Sequence, residues 1–349
     1  MQILIFNLVL VIVDMCVGTE VISFKSFQLQ HNKVYQSNEE LSLREQIFKR
    51  NVLEIEKHNQ LYDQGLTTYR MGVNKFTDMT PDEFSSMLKT IPLSNVSFKQ
   101  DASANNMELY TLKPPVNIDW RENGMISAVK DQGNCGSCWA FSVTGAVEAQ
   151  IAISQKSNVI LSEQELVDCE KRNNGCNGGA LIYAYQYVKE TGLTYEDEYP
   201  YQGVKNYECK NVKRKAVKLS SFSNITPYNE TQLISVVGNI GPASVAINAD
   251  KLQNYQSGVF NELCSNVVNH GVLVVGYNTE QNYWILKNSW GPNWGEKGYF
   301  RLAMGSGLCG IASQAYYPTK ISSGSSKIHF FNVSVASLIS GIIYMIRNK

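Results

Sequence analysis

The sequence has no excess of charge of either sign and little histidine. Its 31 basic and 31 acidic side chains cancel, so it lacks the basic surface of nucleic-acid-binding proteins, and we expect no nucleic-acid partner. Only one of the four histidines, His270, lies between residues 114 and 319. Imidazole chemistry in that range therefore depends on one residue. A hydrophobic content of 44% over 349 residues is enough for a substantial core in one large or two ordinary domains.

Cysteine, by contrast, occurs in an informative number. Seven cysteines follow residue 113, at positions Cys135, Cys138, Cys169, Cys176, Cys209, Cys264 and Cys309. In a secreted protein six of them can pair and one is left over. A leftover thiol that acts as a nucleophile needs a base to make it a thiolate, and His270 is the imidazole within reach.

The N-terminus predicts export. Residues 3–13 form an apolar run of the length found in signal peptides, and Cys16 and Gly18 are small residues at suitable cleavage positions, so we expect residues 1–18 to be removed. The usual basic residue before the apolar run is missing. Four glycosylation sequons fit a secretory route, at Asn95, Asn224, Asn229 and Asn332. Export implies an oxidising compartment that favours disulfides.

We call residues 19–113 the pro-region, and its residues from about 19 to 93 are charged and helical in pattern. Six side chains recur at spacings of three and four and share one stripe of a helix: Glu40, Arg44, Phe48, Asn51, Ile55 and Asn59. By itself such a stripe indicates core packing. Gly72, Asn74, Phe76 and Asp78 alternate with a period of two, which predicts a strand that enters a turn before Thr80. Residues 95–106 are polar and predict an exposed linker.

Residues 114–319, the peptidase region, divide into two compositional halves. Apolar residues at helical spacing follow Cys138, and further helices are predicted near Ser162 and over 180–189, so 123–221 form a helical half. From 222 to 319 short β-branched and aromatic runs predict antiparallel strands. The chain is therefore of the α+β class.

Cys138 stands where the first of these helices begins, and a helix N-terminus stabilises a thiolate. His270 starts a predicted strand in the other half, so the two side chains can meet only in a cleft between the halves. Asn288, at the end of another strand, is placed to orient the imidazole. Gln132 can donate an amide N–H to a developing oxyanion.

Two other classes of site use the same C-x-x-C spacing of Cys135 and Cys138. Zinc would need further ligands at short spacing, and the sequence has no second close cysteine pair or nearby histidine. A thioredoxin-like disulfide would join the two cysteines directly. We therefore expect no metal and no cofactor. A non-catalytic binding or storage protein of the same fold is the stronger alternative, although such proteins usually lose the Cys, His or Gln.

Residues 132–142 read QGNCGSCWAFS, with His270 and Asn288 132 and 150 positions after Cys138. This motif resembles the active-site block of papain-family cysteine proteases. Residues 269–271 (NHG) and 287–291 (KNSWG) resemble the family's histidine and asparagine blocks. The helical stripe and the G-N-F-D residues resemble the pro-region of its cathepsin L-like branch. The resemblance covers about residues 24–319.

The resemblance implies a two-domain papain-like fold, with a helical left domain, an antiparallel β-barrel right domain and a cleft between them, behind an inhibitory pro-region. It implies an endopeptidase made as a zymogen, acting on proteins and peptides through an acyl-enzyme. Trp290 would shield the His270–Asn288 bond. The implied disulfides are Cys135–Cys176, Cys169–Cys209 and Cys264–Cys309. We expect the pro-region to cross the cleft in the non-productive direction. Acid should weaken its hold by protonating its carboxylates and so breaking ion pairs with the peptidase region.

Substrate contacts are also implied by the resemblance. Gly178 and Gly179 would offer backbone hydrogen bonds to an extended substrate. The S2 pocket maps onto Leu181, Ala246, Val268, Gly271 and Gln314. Apolar walls predict a hydrophobic P2 residue, whereas Gln314 departs from the family's small or apolar residue and predicts tolerance of a polar or larger group. Trp294 is either core or part of the primed-side wall.

Residues 320–349 extend beyond the resemblance. A spacer at 322–326 precedes an apolar stretch at 333–346 and the terminal Arg347 and Lys349. These features fit a glycolipid-attachment signal or a short stop-transfer segment, either of which would hold the protein at a membrane. They equally fit an extension that is trimmed from a soluble lysosomal or secreted enzyme.

Overall fold

Helices dominate the first part of the chain and strands the last. The structure is a computed structural model that describes residues 22–89, 112–210, 212 and 215–322. In chain order the elements are α1 (Phe24–Gln30), α2 (Asn38–Asp63), β1 (Tyr69–Met71), α3 (Pro81–Met87), β2 (Asn117–Asp119), α4 (Cys138–Gln155), α5 (Glu163–Cys169), α6 (Leu181–Glu190), β3 (Lys218–Asn224), α7 (Glu230–Asn239), β4 (Ala243–Ile247), β5 (Tyr255–Phe260), β6 (His270–Asn278), β7 (Tyr283–Lys287), β8 (Tyr299–Ala303) and β9 (Ala315–Ser322).

The predicted stripe lies along α2, whose first turn is capped by the Ser37 hydroxyl. Phe48 and Ile55 are buried and form the apolar part of the stripe. Asn51 donates from Nδ2 to the carbonyl oxygens of Thr77 and Met79, each at 2.8 Å. The stripe is therefore both core packing and a set of hydrogen bonds that shape the segment after β1.

The prediction of a strand over 72–78 is wrong, because β1 ends at Met71 and turns follow. Asn74 explains the difference: its Oδ1 accepts a hydrogen bond from the Phe76 N–H at 2.9 Å, and its carbonyl accepts one from Thr77 N–H at 3.0 Å. An asparagine that bonds its own backbone neighbours makes a turn. Asn74 and Phe76 contact the peptidase region, whereas Asp78 accepts hydrogen bonds from Lys33 and Tyr35 within the pro-region.

Helix α4 is buried along most of its length and joins the two halves of the peptidase region. The hydroxyl of Ser142 in α4 donates to the carbonyl of Val272 in β6 at 2.7 Å. The backbone carbonyl of Ser142 accepts from the hydroxyl of Ser244 in β4 at 2.9 Å. Because buried polar groups of this kind must be paired, these bonds fix the position of α4 against the sheet. The predicted helices α5 and α6 are also present.

The strands form one sheet in the order β1-β5-β8-β7-β6-β4-β9-β3, and β2 pairs with β6. All pairs are antiparallel except β5 with β8, which is parallel. The fold is the predicted papain-like combination of helical and β-sheet domains. Strand β9 continues three residues past Thr319 and stays paired with β3 through Ser322. The residue boundaries of the domains otherwise stay predictions.

The pro-region contributes the edge strand of this sheet. Tyr69 in β1 pairs with Gly258 in β5, and Gly72 N–H donates to the carbonyl of Asn254 at 2.9 Å. The pro-region also adds four buried side chains to the hydrophobic core of the β half, namely Tyr69, Phe76, Phe84 and Leu88. The two regions therefore share one core.

Several sequence predictions lie outside the described residues. They are the signal segment 1–18, the linker 95–106, the sequons at Asn95 and Asn332, and the apolar tail after residue 322. In the ranges that the structure does describe, no helix is both long and apolar enough to cross a membrane.

Candidate active site

Cys138 is the first residue of α4 and is fully buried. It belongs to none of the three disulfides of the described residues, which are Cys135–Cys176, Cys169–Cys209 and Cys264–Cys309. These are the pairs that the resemblance implied. Since Cys135 is bonded to Cys176, the C-x-x-C cysteines form neither a redox disulfide nor a zinc half-site. The Cys138 thiol is thus left at the positive end of a helix dipole.

His270 opens β6 directly beside the start of α4. The backbones approach so closely that a Cβ at Gly271 would lie 3.1 Å from the carbonyl oxygen of Cys138. Glycine at 271 therefore allows the strand carrying the histidine to approach the helix carrying the cysteine. The predicted meeting of the two halves occurs at this point.

The His270 imidazole is oriented by Asn288 and covered by Trp290. Nε2 donates to Asn288 Oδ1 at 2.8 Å, and the Trp290 ring stacks on the imidazole with centroids 4.6 Å apart. Asn288 Oδ1 also accepts from Ser289 N–H at 2.8 Å, which fixes the side-chain amide. Both His270 and Asn288 are buried. With Nε2 engaged, Nδ1 is the ring nitrogen left for proton transfer; it has no hydrogen-bond partner among the described residues.

The Gln132 side chain is held at both ends. Its Nε2 donates to the carbonyl of Cys135 at 2.8 Å, and its Oε1 accepts from the Ser289 hydroxyl at 2.6 Å. An amide nitrogen carries two hydrogens, so one remains after the bond to Cys135. Gln132 N–H also donates to the Ser289 carbonyl at 2.8 Å, which ties it to the segment carrying Asn288.

Sequence reasoning missed Tyr201, which supports the same site from 69 residues away. Its hydroxyl donates to the Gln132 carbonyl at 2.8 Å and pairs with the Ser137 hydroxyl at 2.7 Å. Burial raises the pKa of Tyr201 to about 12, so the phenol remains a donor at working pH. Nothing in the spacing of one sequence indicates this contact, because Tyr201 carries no motif.

A cluster of buried charged side chains, which includes Lys130, Glu163 and Lys287, lies behind the site. It links the segment that precedes Gln132 to the segment that precedes Asn288. Lys287 donates to the carbonyl of Ser127 at 2.8 Å, and burial lowers the pKa of Lys287 to about 8. Glu163 accepts from Lys130 at 2.6 Å; burial, opposed by that ammonium, raises the pKa of Glu163 to about 7. The cluster anchors both segments inside the protein.

The residues predicted for S2 are partly brought together. Leu181, Ala246 and Val268 share one hydrophobic cluster, and Ala246 N–H donates to the Gln314 carbonyl at 3.0 Å. The side-chain Oε1 of Gln314 is buried and has no hydrogen-bond partner within the described ranges. A buried unpaired acceptor is unfavourable, so the site is suited to a ligand that supplies a donor.

The two glycines predicted to bind substrate differ. Gly178 uses its backbone groups in its own turn, where its carbonyl accepts from Asn174 N–H at 2.9 Å and its N–H contacts the Gly175 carbonyl at 3.4 Å. Gly179 lies against the Trp139 ring, where a Cβ would approach to 2.6 Å. A strand-like contact of either glycine with substrate stays a prediction.

The pro-region covers the site. Phe76 and Phe84 each meet the Trp290 ring edge-on with centroids 5.4 Å apart, so the ring that covers His270 also contacts the pro-region. The Lys89 carbonyl lies where a Cβ on Gly178 would overlap it. Trp294 is 1% exposed and packs at 86° to Trp290, and it also lines a cavity at the pro-region boundary. In this state Trp294 is therefore part of the core, and its place in the primed-side wall stays a prediction.

Among the described residues, three carboxylates of the peptidase region bond side chains of the pro-region. The pairs are Asp131 with Lys75 at 2.6 Å, Asp250 with Ser85 at 2.6 Å and Glu262 with Tyr69 at 2.6 Å. Among the described residues, no carboxylate of the pro-region forms an ion pair with the peptidase region. Within the described residues, acid therefore has no such pairs to break.

The carboxylates of the pro-region stabilise the pro-region itself. Asp78 pairs with Lys33 at 2.8 Å, and Glu83 pairs with Arg44 at 2.8 Å. The hydrogen bond from Arg44 lowers the pKa of Glu83 from its ordinary 4.5. The stabilisation from this depressed pKa is complete above pH 4.5 and is lost as the pH falls further. Strong acid thus loosens the pro-region from within.

Comparisons with known proteins agree with this geometry. Residues 114–319 match the papain family cysteine protease model, and residues 24–84 match the cathepsin propeptide inhibitor domain. The chain is 42% identical over 299 residues to a cathepsin L-like proteinase of Fasciola hepatica, an alignment that covers 82% of this chain and 90% of that one. It is 40% identical over 309 residues to cathepsin L of Sarcophaga peregrina, with 84% and 91% covered.

Solved zymogens share the fold. A digestive procathepsin L 3 from the larval midgut of Tenebrio molitor superimposes with a TM-score of 0.77 at 40% identity and covers 84% of this chain and 97% of that one. A recombinant stem bromelain precursor gives 0.75 at 36% identity, with 85% and 97% covered. The peptidase match, the inhibitor domain and the zymogen structures identify the same family. The chain belongs to the papain family of cysteine proteases, as a cathepsin L-like zymogen with an inhibitory propeptide.

Proposed function

We propose that Cys138 is the nucleophile and His270 the acid and base of a cysteine endopeptidase. The observation that supports this proposal most strongly is the orientation of the buried His270 imidazole, whose Nε2 donates to Asn288 Oδ1 and whose ring stacks on Trp290. The strand that carries His270 lies directly against Cys138. This orientation leaves Nδ1 to exchange protons with the sulfur. The helix N-terminus and an imidazolium both favour the thiolate.

In the acylation step the Cys138 sulfur forms a bond to the peptide carbonyl carbon, and the carbonyl electrons move to oxygen. The C–N bond then breaks as the His270 imidazolium gives its proton to the leaving amine. A water molecule next attacks the thioester, and His270 takes its proton. The acid is released and the thiolate is restored. Asn288 keeps the ring aligned through both steps.

The second hydrogen on Gln132 Nε2 and the backbone N–H of Cys138 are proposed to stabilise the oxyanion. Both groups belong to the segment that turns into α4. Gln132 reaches this role already fixed by Cys135 and Ser289, so little rearrangement is needed when charge develops. Donors that are preorganised in this way stabilise the transition state more than the substrate.

We predict that Gln132→Ala lowers kcat/KM by roughly 10²–10³ through loss of an oxyanion donor. Gln281→Ala is the matched control, because Gln281 is an exposed amide elsewhere in the peptidase region. Cys138→Ala should leave no hydrolysis above background. Activity of the Gln132 variant within a few-fold of the parent, measured with a fluorogenic peptide, would rule out this role.

We also propose that the substrate has a bulky P2 side chain that carries a hydrogen-bond donor at its far end. The apolar contacts of Leu181, Ala246 and Val268 favour a hydrophobic body. The unpaired Oε1 of Gln314 favours a donor beyond it. Tyrosine at P2 meets both conditions, whereas phenylalanine leaves the acceptor unpaired.

Peptides that differ only in Tyr or Phe at P2 test this proposal. The parent enzyme should prefer Tyr, and Gln314→Ala should lower the Tyr/Phe ratio of kcat/KM by roughly two- to tenfold, the worth of one hydrogen bond. Gln281→Ala again serves as the control. An unchanged ratio in the Gln314 variant would contradict a contact at P2.

The non-catalytic alternative has no support. Cys138, His270, Asn288 and Gln132 are all present and mutually bonded or adjacent, and nothing in the comparisons favours a binding or storage role. The named relatives are proteinases.

We propose a secretory route that ends in a lysosome or outside the cell, supported by the three disulfides. Asn229 is an exposed N-cap whose Oδ1 accepts from Gln232 N–H at 2.8 Å. A glycan on its Nδ2 would keep that cap. Asn224, half-buried at the end of β3, is the less accessible sequon. Membrane attachment through the tail stays a prediction from its sequence.

A further inference from the structure

Tyr201 bonds both ends of the loop that carries the two proposed oxyanion donors. We call residues 132–138 the oxyanion loop; it begins with Gln132 and ends with Cys138, the first residue of α4. The Tyr201 hydroxyl donates to the Gln132 carbonyl at 2.8 Å and lies 2.7 Å from the Ser137 hydroxyl. One phenol therefore spans the loop from its first residue to the residue before the nucleophile.

The direction of these two hydrogen bonds follows from the number of hydrogens. A phenol has one hydrogen, and Tyr201 uses it on the Gln132 carbonyl. The second bond must therefore run from the Ser137 hydroxyl to the phenol oxygen. Hydrogen bonds in such a chain polarise and strengthen one another. Ser137, Tyr201 and Gln132 thus form one connected unit.

Ser137 is placed as a helix cap but does not act as one. It is the N-cap residue of α4, where a serine hydroxyl normally accepts a hydrogen bond from the first turn. Ser37 and Ser162 cap α2 and α5 in this way. The Ser137 side chain makes no such bond within the described residues, and its backbone is not extended as in those two caps. Its fully buried hydroxyl is directed to Tyr201 instead.

Tyr201 is itself held on two sides. Its backbone N–H donates to Glu196 Oε1 at 2.8 Å. Its ring meets the Phe141 ring of α4 edge-on, with centroids 4.9 Å apart. The hydroxyl is therefore fixed relative to α4, and through its bond to Gln132 it fixes the start of the oxyanion loop relative to the same helix.

We propose that Tyr201 is a positioning residue for the oxyanion site, which it keeps in register by bracing Gln132 against Ser137. The proposal rests on the proposed role of Gln132 and of the Cys138 N–H as oxyanion donors. Both donors must point at the same oxygen, and small errors in the placement of such groups reduce the rate. Tyr201 acts through Gln132 and not on the reacting atoms.

The test compares peptide hydrolysis with alkylation by iodoacetamide in the processed enzyme. Hydrolysis develops an oxyanion, whereas in alkylation the thiolate sulfur displaces iodide and no carbonyl oxygen gains charge. Tyr201→Phe should lower kcat/KM per titrated active site by about three- to tenfold, the range of one hydrogen bond, and leave the alkylation rate unchanged. Ser137→Ala should have the same effect, and it carries the test alone if Tyr201→Phe does not fold.

Tyr199→Phe is the matched control. The Tyr199 hydroxyl also makes two hydrogen bonds, to Asp168 Oδ2 at 2.8 Å and from the Lys210 N–H at 3.2 Å, and neither partner belongs to the oxyanion loop. This variant should keep the parent's ratio of hydrolysis to alkylation. Tyr201→Phe added to Gln132→Ala should lower hydrolysis little further, because residues that act as a unit are not additive.

Two outcomes would overturn the positioning role while Gln132→Ala remains impaired. One is full hydrolysis by both Tyr201→Phe and Ser137→Ala. The other is an equal loss of hydrolysis and alkylation, which indicates general damage to the site. Full hydrolysis by Gln132→Ala would instead contradict the proposed oxyanion donor, and the positioning role with it.

Discussion

The indole ring of Trp290 is the contact on which both catalysis and inhibition depend. One face stacks on His270 and shields its bond to Asn288. The ring also receives Trp294 and the two propeptide phenylalanines, Phe76 and Phe84. The same ring therefore contacts both the imidazole and the inhibitor. We expect activation to require removal of the propeptide without rearrangement of Cys138 and His270.

This shared ring explains why the zymogen can be both assembled and silent. Tyr69, Phe76, Phe84 and Leu88 lie in the core of the β half, and burial of a side chain of this size contributes about 1.5–3 kcal/mol. Strand β1 adds backbone pairing to β5. These contacts hold the propeptide against the β half of the enzyme.

The sequence predicted the fold and the candidate site well where short motifs carry the chemistry. The block around Cys138, the positions of His270 and Asn288 and the helical stripe of α2 all have local patterns. The strand predicted over 72–78 failed because Asn74 forms a turn with its own backbone, and a period of two cannot distinguish the two cases.

Contacts between distant segments could not be predicted from one sequence. Tyr201 supports Gln132 from 69 residues away, and Lys287 reaches the Ser127 carbonyl. Composition gives the number of carboxylates but not the side of an interface on which each one lies. Among the described residues, Asp131 and Glu262 reach the propeptide from the enzyme, whereas Asp78 and Glu83 pair within the propeptide.

The most direct test of a finished but covered active site is the rate at which an alkylating reagent modifies Cys138 at pH 7.5. Cys138 is fully buried in the zymogen. The intact precursor should react at least tenfold more slowly than the processed enzyme, as measured by mass spectrometry. The double variant Phe76→Ala, Phe84→Ala should restore most of the rate, while Leu53→Ala, on an exposed position of α2, should not. A precursor that is alkylated as fast as the processed enzyme would contradict this view of the zymogen.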